Sequence, residues 1–370
     1  MEYDFLVVGA GLSGSTVAER LASRGRKVLL VEKRSHIGGN AYDEYDEHGI
    51  LVHRYGAHVF HTNSKEVFDY LSRFTEWRGY EHRVLSRVGG DYVPVPINRT
   101  TINRLYGLDL KSESDVAGYL ERVRVNGLEI RSAEDVVLSK VGPDLYEKMF
   151  KHYTRKQWGV DPSVLSPEVT LRIPVRLDED DRYFGDTHQV MPRDGYARMV
   201  ARMLSSGNIT LRLNTDYKDV AGRERYGHVV YTGPIDYFFD YKYGRLGYRS
   251  IRFESRTYDE EVHQPAGVVN YPSAEVGYTK STEFKYLTGQ KHAKTTVQNE
   301  YPTGDGEPYY PMMTGQDKAL YERYREEADA LADASFVGRL AEFKYYNMDQ
   351  AVASALKLSR KLLGELEQQV

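Results

Sequence analysis

The sequence contains no cysteine among its 370 residues. This absence excludes disulfide bonds, catalysis by a thiolate and cysteine-ligated metals, and it fits a cytoplasmic protein. No apolar run approaches the ~20 residues that a membrane-spanning helix needs, so we expect no membrane insertion. The chain also enters its first strand without a basic segment and a cleavable apolar core, which predicts that it has no signal peptide.

A strong excess of one charge is also missing, since 50 Lys and Arg stand against 54 Asp and Glu, a formal net charge of −4. This balance provides no general attraction to nucleic acid or to an anionic membrane. A chain of this length can bury a large core and is expected to divide into two or three lobes.

Tyrosine is the residue present in excess, with 31 copies. Its ring stacks on sugars and bases while its hydroxyl forms hydrogen bonds, so the excess suits a polar, carbohydrate-like ligand. Compositional drift spread over the core and the surface explains the same count equally well.

The strongest motif lies at the N-terminus. An apolar run at residues 5–8 leads into GAGLSG at 9–14, a helical pattern follows, and a second apolar run at 27–31 ends in Glu32. Strand, glycine turn, helix, strand and acid in this order and length are typical of a dinucleotide-binding βαβ unit.

Each position of this motif has a physical role. Gly9 permits the tight turn, Gly11 lets a pyrophosphate touch the backbone, and Gly14 lets the helix pack closely on the strand. The helix N-terminus offers free N–H groups to the phosphates, and Glu32 is placed to bind a ribose hydroxyl.

Two further stretches are predicted to reach the same pocket. Residues 34–41 (RSHIGGNA) form a loop near the phosphates or the ring system, and residues 51–62 contain His53, His58 and His61. No HExxH motif or carboxylate cluster completes a metal site there. We therefore favour polar lining of a cofactor pocket, with satisfied structural histidines as the alternative.

Helix boundaries are marked by small polar residues. Ser64 is predicted to cap a helix over 64–77, and Ser112 and Ser132 mark two further helix starts. The Gly-Pro-Asp sequence at 142–144 is predicted to end one helix and begin another.

Strand signals occupy much of the remaining chain. Residues 92–97 contain two prolines and are predicted to form an edge or crossover strand. Short strands are expected within 195–240, and alternating segments over 248–300 indicate an antiparallel sheet. Residues 334–339 form a strand that ends in glycine, and 347–349 cap a closing helix that would point its N-terminus at the cofactor.

Two segments carry side chains suited to a nucleotide. In 144–159 (DLYEKMFKHYTRKQWG) an ordinary core stripe accounts for the aliphatic residues, but less well for Tyr153 and Trp158. Residues 168–186 combine Arg172 with a dense acidic run. A phosphate-binding loop that opens and closes and a salt-bridged surface loop explain this segment equally well.

Taken together, these motifs resemble the bacterial UDP-galactopyranose mutase family, and the resemblance covers essentially the whole chain. It is carried by GAGLSGSTVAERLA, EKRSHIGGNAYD, YGAHVFHT, YTRKQWG, RIPVR, DDRYF, YTGPIDYFFDY, EPYYP and GRLAEFKYYNMDQ. The first two segments also occur in amine-oxidase-like flavoproteins, whereas YTRKQWG, RIPVR and FKYYNMDQ are far more specific.

The resemblance implies an enzyme that interconverts UDP-galactopyranose and UDP-galactofuranose with FAD in its reduced state. In this family the flavin N5 forms a covalent adduct with the sugar, which opens through an iminium without net redox. It further implies an external reductant such as NAD(P)H or a reductase, and a homodimer or higher homo-oligomer.

The family also implies roles for individual residues. The implied catalytic residues are Arg172, Lys280 and His61, and no metal is expected. The residues implied to bind the sugar nucleotide are Phe150, Tyr153, Trp158, Arg172, Tyr183, Asn270, Lys280, Tyr310, Tyr345 and Asn347. The residues implied to bind FAD are Gly9, Gly11, Gly14, Glu32, Lys33, Gly39, Asn40, His61, Arg339, Met348 and Asp349.

One position departs from the family pattern, because this chain has Lys280 where an arginine is usual. Lysine keeps the charge but loses the planar fork that binds phosphate in a bidentate manner. One alternative is therefore the same chemistry on UDP-N-acetylgalactosamine or dTDP-fucose. A different class is an amine-oxidase-like oxidoreductase, against which Arg172, Lys280 and the tyrosines favour the mutase. An inactive sugar-nucleotide-binding relative is a third interpretation, because an intact cofactor site does not prove turnover.

The expected fold is α/β, with a Rossmann-like FAD-binding domain, an inserted helical domain and an antiparallel sheet domain. The FAD-binding domain is expected to comprise 1–80, about 195–240 and 331–370. The helical substrate or dimer domain spans about 98–165. The sheet domain takes about 81–97, 166–194 and 241–330, with a mobile loop near 168–182.

Overall fold

A computed structural model describes residues 2–171 and 174–364. The strands of these ranges are, in chain order, β1 (Tyr3–Val8), β2 (Val28–Val31), β3 (Asp43–Tyr45), β4 (Leu51–His53), β5 (Phe60–Thr62), β6 (Trp77–Gly79), β7 (Val84–Val88), β8 (Asp91–Val95), β9 (His188–Pro192), β10 (Ile209–Arg212), β11 (Tyr226–Tyr231), β12 (Tyr248–Tyr258), β13 (Val268–Asn270), β14 (Lys280–Glu283), β15 (Thr295–Thr303), β16 (Tyr310–Pro311) and β17 (Ala334–Phe336).

The α-helices of the same ranges are α1 (Leu12–Ala22), α2 (Lys65–Ser72), α3 (Arg99–Tyr106), α4 (Glu113–Val123), α5 (Ala133–Leu145), α6 (His152–Trp158), α7 (Glu168–Leu171), α8 (Tyr196–Met203), α9 (Tyr217–Val220), α10 (Ile235–Phe238), α11 (Phe284–Thr288), α12 (Gly315–Asp329) and α13 (Met348–Leu362). None of them is both long and apolar enough to span a membrane.

A parallel sheet of order β10-β2-β1-β11-β17 forms the Rossmann-like part. Val7 and Leu30 pack toward α1 and α13, while Leu6 and Leu29 pack toward the opposite face, and all four are fully buried. Each such side chain contributes about 1.5–3 kcal/mol on burial. Burial on both faces explains why β2 and the second half of β1 are continuous apolar runs rather than alternating ones.

The second large sheet has the order β16-β12-β15-β14-β13-β7-β8. The strands within 248–300 pair in antiparallel fashion, as predicted, whereas β7, which joins this sheet from an earlier part of the chain, pairs with β13 in parallel. These two strands are not joined by a hairpin, so no turn forces them to run in opposite directions. β8 lies at the edge, as its prolines predicted.

Two helices of the helical region, α4 and α5, begin at the predicted capping residues. The Ser112 and Ser132 side chains each accept a hydrogen bond from the backbone N–H three residues later, which confirms both predicted helix starts. The predicted break is also confirmed, because Gly142 has a φ of 81° inside α5. A Cβ at Gly142 would lie 2.0 Å from the carbonyl oxygen of Val123, so only glycine fits between these two segments.

Helix α2 is shorter than predicted. Ser64 caps it as expected, but it ends at Ser72, and Trp77 begins β6 instead. There Trp77 stacks on Phe60 at a ring distance of 5.2 Å. Pairing of β6 with β9 satisfies backbone groups that the predicted helix would have satisfied internally.

Strand β9 connects regions that the sequence placed in different domains. It lies between β5 and β6, although residues 166–194 were expected in the sheet domain and residues 1–80 in the FAD-binding domain. Since strand pairing between distant segments leaves no local signal, the sequence pattern could not reveal this arrangement.

The segment expected to be a mobile loop begins with helical structure, because residues 168–171 form α7. Farther along, the Arg176 N–H donates to the Ile97 carbonyl at 2.9 Å, and the Arg99 N–H donates to the Asp178 carbonyl at 2.9 Å. Arg172 lies outside the described residues, and the mobility of the loop stays a prediction.

We predict that acid destabilises the protein through its buried histidines. His53 is 1% exposed, and its Nδ1 accepts a hydrogen bond from the His58 N–H at 3.1 Å. Burial, aided by His58, lowers the pKa of His53 from 6.5 to about 3. Its stabilising contribution is therefore present above pH 6.5 and is lost as the pH falls, because only the unfolded chain takes up the proton.

This loss amounts to about 2 kcal/mol between pH 7 and pH 5. The variant His53→Asn retains an acceptor for the His58 N–H but cannot titrate. Urea unfolding should show a smaller fall in unfolding free energy for the variant than for the wild type over that range. Equal falls in the two proteins would contradict the assignment to His53.

Candidate functional site

A cavity of about 490 Å³ opens at the carboxyl ends of the parallel strands. It is bounded by the ends of β1, β2 and β11 at Val8, Val31 and Tyr231, and by the start of α13. Ligands of open α/β sheets bind in this position because the loops that leave the strands diverge there.

The glycine motif forms one wall of this cavity. Gly9 has a φ of +98°, and a Cβ on Gly14 would lie 1.9 Å from the Gly9 carbonyl oxygen. A Cβ on Gly11 would meet only the Cα of Gly39, at an ordinary 3.7 Å. Gly9 and Gly14 are thus required by the fold itself, whereas Gly11 keeps space open on the cavity side.

Glu32 is held in a fixed orientation on the same wall. One carboxylate oxygen accepts a hydrogen bond from the Ala10 N–H at 2.8 Å, and the other accepts one from the Arg34 N–H at 2.9 Å. Each oxygen retains a further lone pair. The buried carboxylate can therefore accept hydrogen bonds from a pair of ribose hydroxyls.

Charged residues line the rim of the cavity beside Glu32. Glu307 forms ion pairs with Lys33 at 2.8 Å and Arg34 at 3.0 Å, and Arg34 also donates to Asn40 at 3.0 Å. Lys33, Gly39 and Asn40, which the family resemblance implied for the cofactor, all line the cavity.

The far end of the cavity is formed by His58, Arg339, Asn347, Met348 and Ala351. Asn347 is the N-cap residue of α13 as predicted, and its backbone N–H donates to the Gln350 side chain at 2.9 Å. The Arg339 side chain donates to the Tyr346 carbonyl at 2.6 Å.

A group of aromatic residues, here called the tyrosine cluster, adjoins this end. It comprises Tyr153, Trp158, Tyr183, Tyr310 and Tyr345. The rings of Tyr310 and Tyr345 stack at 5.1 Å, and Trp158 lies 6.4 and 6.1 Å from them.

Two charged residues connect this cluster to its surroundings. The Arg339 guanidinium lies 5.4 Å from the Tyr310 ring and 5.6 Å from the Tyr345 ring, so it touches both the cavity and the cluster. On the sheet side, the Lys280 ammonium is close enough to Tyr153, Tyr310 and Tyr345 for each of them to affect its pKa.

Lys280 belongs to a row of polar residues across three strands. Its direct neighbours in the sheet are Asn270 on β13 and Glu300 on β15, so the three side chains share one face. The ammonium lies 3.1 Å from the Glu300 carboxylate, which is 3% exposed.

Burial lowers the pKa of Lys280, but Glu300 and then the neighbouring tyrosines raise it, and the pKa ends well above its usual value. Lys280 is therefore a permanent cation. Its charge contributes to lowering the pKa of His58 to about 4 and of His82 to about 3, with burial as the largest cause of both shifts.

Comparisons with known proteins agree with this geometry. A family model described as UDP-galactopyranose mutase matches residues 148–345, and one described as an NAD(P)-binding Rossmann-like domain matches residues 7–74. A probable UDP-galactopyranose mutase of Klebsiella pneumoniae is 38% identical over 99% of this chain and 96% of its own length.

A dTDP-fucopyranose mutase of Escherichia coli is 34% identical over 96% of this chain and 97% of its own length. The crystal structure of a reduced UDP-galactopyranose mutase shares the fold, with a TM-score of 0.80 at 17% identity and coverage of 100% and 95% of the two chains. The chain belongs to the UDP-galactopyranose mutase family. The resemblance and the α/β fold expected from the sequence are thereby confirmed.

Members of this family are flavin-dependent isomerases, and the residues of the cavity fit a flavin dinucleotide. Gly11 leaves room for a diphosphate, the uncapped start of α1 offers N–H groups, and Glu32 offers a carboxylate to a ribose. The implied residues Gly9, Gly11, Gly14, Glu32, Arg339 and Met348 line the cavity, as does Asn347, which was implied for the substrate.

Two residues implied for FAD lie elsewhere in the described chain and do not line the cavity. The Nδ1 of His61 lies 2.7 Å from the Asp186 carboxylate, and the His61 ring stacks on Phe184 at 3.6 Å. Asp349 accepts a hydrogen bond from the Thr62 hydroxyl at 2.9 Å and so ties α13 to β5.

The other residues implied for the substrate divide into two groups. Tyr183 is 37% exposed and close enough to affect the pKa of Tyr153, and Asn270 neighbours Lys280. Phe150 packs instead against the apolar core of the helical region. Arg172, the remaining residue implied for the substrate, lies outside the described residues.

Sequence reasoning missed Glu300, which orients Lys280, and Glu307, which pairs with Lys33 and Arg34 at the rim. It also missed Tyr217 and Tyr237, which add two aromatic rings to the lining of the cavity, although YTGPIDYFFDY, which contains Tyr237, was noted as a family motif. A cross-strand pairing of Lys280 with Glu300 was the one signal that could have found this acid, and it requires the register of β14 on β15.

We predict that alanine substitutions at two glycines of the motif have different effects, one on stability and the other on flavin binding. Gly14→Ala places a methyl group on the Gly9 carbonyl and should destabilise the fold by about 3 kcal/mol, the upper end of typical overpacking costs. Gly11→Ala meets ordinary contacts, so the protein should fold normally but retain little flavin.

The unfolding midpoint in urea and the ratio of flavin to protein absorbance measure the two effects separately. A stable Gly14→Ala protein with full flavin content would contradict the packing argument. Full flavin content in Gly11→Ala would show that no phosphate approaches that glycine.

Proposed function

We propose that the protein interconverts the pyranose and furanose forms of UDP-galactose and that its flavin is FAD, active when reduced. The observation that supports this most is the position of Lys280 and the tyrosine cluster beside the cavity, with Arg339 in contact with both. A cofactor and a sugar diphosphate would meet at this junction.

The cofactor would be held by the glycine motif, Glu32 and the loop containing Gly39 and Asn40. Reduced flavin would supply the nucleophile for covalent catalysis at the anomeric carbon, with no net redox. The protein residues then have to bind the departing diphosphate and keep the sugar in place between these two parts.

Lys280 is suited to the diphosphate because it stays protonated and is a quarter exposed. Burial raises the pKa of Tyr153 and Tyr310, so both keep their protons and can donate hydrogen bonds to phosphate oxygens. Glu300 keeps the ammonium on the correct face of the sheet. Arg172 would be the second cationic arm, a role that stays a prediction.

A second candidate is the same reaction on dTDP-fucose or UDP-N-acetylgalactosamine. It is suggested by Lys280, which stands where an arginine is usual, and by the dTDP-fucopyranose mutase that is 34% identical over 96% of this chain. An amine oxidase is disfavoured, since a cation beside the cavity would repel an amine substrate.

The remaining expectations from the sequence become part of the proposal. These are a cytoplasmic location, an external reductant such as NAD(P)H, and a homodimer or higher homo-oligomer. We also retain the division into three domains, with the change that β9 joins the FAD-binding part through β5 and β6.

The decisive test is turnover of UDP-galactofuranose by the purified protein, with and without dithionite, followed by chromatography of the product. We expect UDP-galactopyranose only when the flavin is reduced. A parallel reaction on dTDP-fucofuranose compares the two substrates directly. Faster conversion of the dTDP sugar would favour the second candidate, and conversion of neither would contradict the proposed reaction.

Substitutions at Lys280 test the diphosphate site. Lys280→Met leaves Glu300 facing the substrate and should lower kcat/KM by about 100-fold, the effect of losing one charge-stabilising donor. Lys280→Arg should keep or raise activity on UDP-sugars, because it restores the forked donor.

The double variant Lys280→Met with Glu300→Gln controls for stability. It leaves no unpaired buried charge, so its unfolding midpoint should recover while kcat/KM stays low. A collapse of activity in Lys280→Arg would show that lysine has a specific role of its own.

A further inference from the structure

Lys156 lies on α6 and reaches into the loop of residues 271–279. Its ammonium lies within hydrogen-bond distance of four backbone carbonyl oxygens, those of Tyr271 at 2.6 Å, Ser273 at 2.9 Å, Val276 at 2.8 Å and Tyr278 at 2.9 Å. Its three N–H groups are shared among these four oxygens. We call these four oxygens the carbonyl cage.

Within residues 2–171 and 174–364, no carboxylate forms an ion pair with Lys156. The carbonyl oxygens therefore hold the ammonium without a negatively charged partner from these residues. Burial lowers the pKa of Lys156 to about 8, so the group is still mostly protonated at pH 7. Carbonyl dipoles converging on one cation are also how proteins bind monovalent ions.

The loop that carries the cage is short and joins two functional strands. It begins after Asn270 at the end of β13 and ends at Lys280, the first residue of β14. Its tip, residues 273–275, is exposed to solvent. The cage therefore constrains from within a solvent-facing loop that leads directly into Lys280.

The lysine that holds this loop lies on α6, the helix that also carries Tyr153 and Trp158. Tyr153 and Lys156 are three residues apart and neighbour each other on the surface of α6. A second tie comes from Arg249 on β12, which donates to the carbonyl oxygens of Gln157 at 3.1 Å and Lys156 at 3.3 Å.

We propose that Lys156 is a positioning residue, a built-in monovalent cation whose carbonyl cage holds Lys280 opposite Tyr153 and Trp158. Neither side of the site is then free to shift relative to the other. The proposal rests on the proposed function in that the ligand bound between these residues is a nucleoside diphosphate. Lys156 itself acts only through the residues that it places.

The first experiment measures binding of UDP to the flavin-loaded protein at pH 7. Lys156→Met keeps the length of the side chain but removes the charge, and it should raise the Kd for UDP by about tenfold, equivalent to 1.4 kcal/mol. Flavin content should not change. Lys148→Met is the matched control, because Lys148 pairs with Asp144 on the preceding turn, and it should stay within twofold of the wild type.

Chemical rescue separates a built-in cation from an ordinary packing role. Lys156→Ala lacks three carbons and the ammonium, so added propylammonium should restore most of its UDP affinity. Tetramethylammonium has the charge but no N–H donor, and at equal concentration it should have no effect. Equal effects of the two salts, or wild-type affinity in both Lys156 variants, would overturn the proposal.

A loop variant covers the case in which Lys156 variants do not fold. Two glycines inserted between Ala274 and Glu275, at the exposed tip, leave Lys156 in place but loosen the cage. This variant should lose UDP affinity as Lys156→Met does, and wild-type affinity would overturn the proposal.

Hydrogen exchange distinguishes failure of this proposal from failure of the proposed function. Amide exchange over residues 271–280 should become faster in Lys156→Met without any ligand. If the wild type does not bind UDP but the exchange accelerates in Lys156→Met, the assigned substrate is wrong and the positioning role of the carbonyl cage stands. Unchanged exchange would overturn the positioning role of the carbonyl cage, whatever the substrate.

Discussion

The close packing of α1 on β1 is the constraint on which the rest of the structure depends. At Gly14 the helix comes so near that a single methyl group would collide with the Gly9 carbonyl oxygen. This approach directs the N-terminus of α1 at the space beyond the strand ends. Helix α13 packs against α1 and starts at the same edge, so both ends of the chain contribute to one cavity.

The site beside that cavity is organised by a buried charge pair. Glu300 has little access to water, and Lys280 compensates its charge from the neighbouring strand. The ammonium pairs with Glu300 and its side chain is still about a quarter exposed, so an anion can also reach it. The tyrosines around it remain protonated and add donors without adding charge, which suits a ligand that is both anionic and rich in hydroxyl groups.

Much of the fold followed from local patterns. The βαβ unit, the serine caps at 64, 112 and 132 and the break at Gly142 depend on residues within a few positions of each other, and the structure has all of them. The features that the sequence did not indicate concern long-range pairing. The parallel contact of β13 with β7 and the position of β9 join segments far apart in the chain.

The candidate site shows the same division. Sequence motifs and the family resemblance indicated Lys280, Tyr153, Tyr310 and Tyr345, which the structure brings together, and they also indicated His61, which contacts Asp186 instead of the cavity. They did not indicate Glu300 or the cage around Lys156. Backbone carbonyls have no sequence signature, so such a cage is invisible before the loop is folded.

The sequence by itself determined the family, the dinucleotide-binding unit and the residue types available for a sugar nucleotide. These depend on short-range geometry, in which spacing along the chain equals spacing in the molecule. Only the tertiary structure decided which side chains meet, because the register of β14 between β13 and β15 results from packing over the whole sheet. A shift of one residue in that register would turn Lys280 to the opposite face, away from Glu300 and the tyrosines.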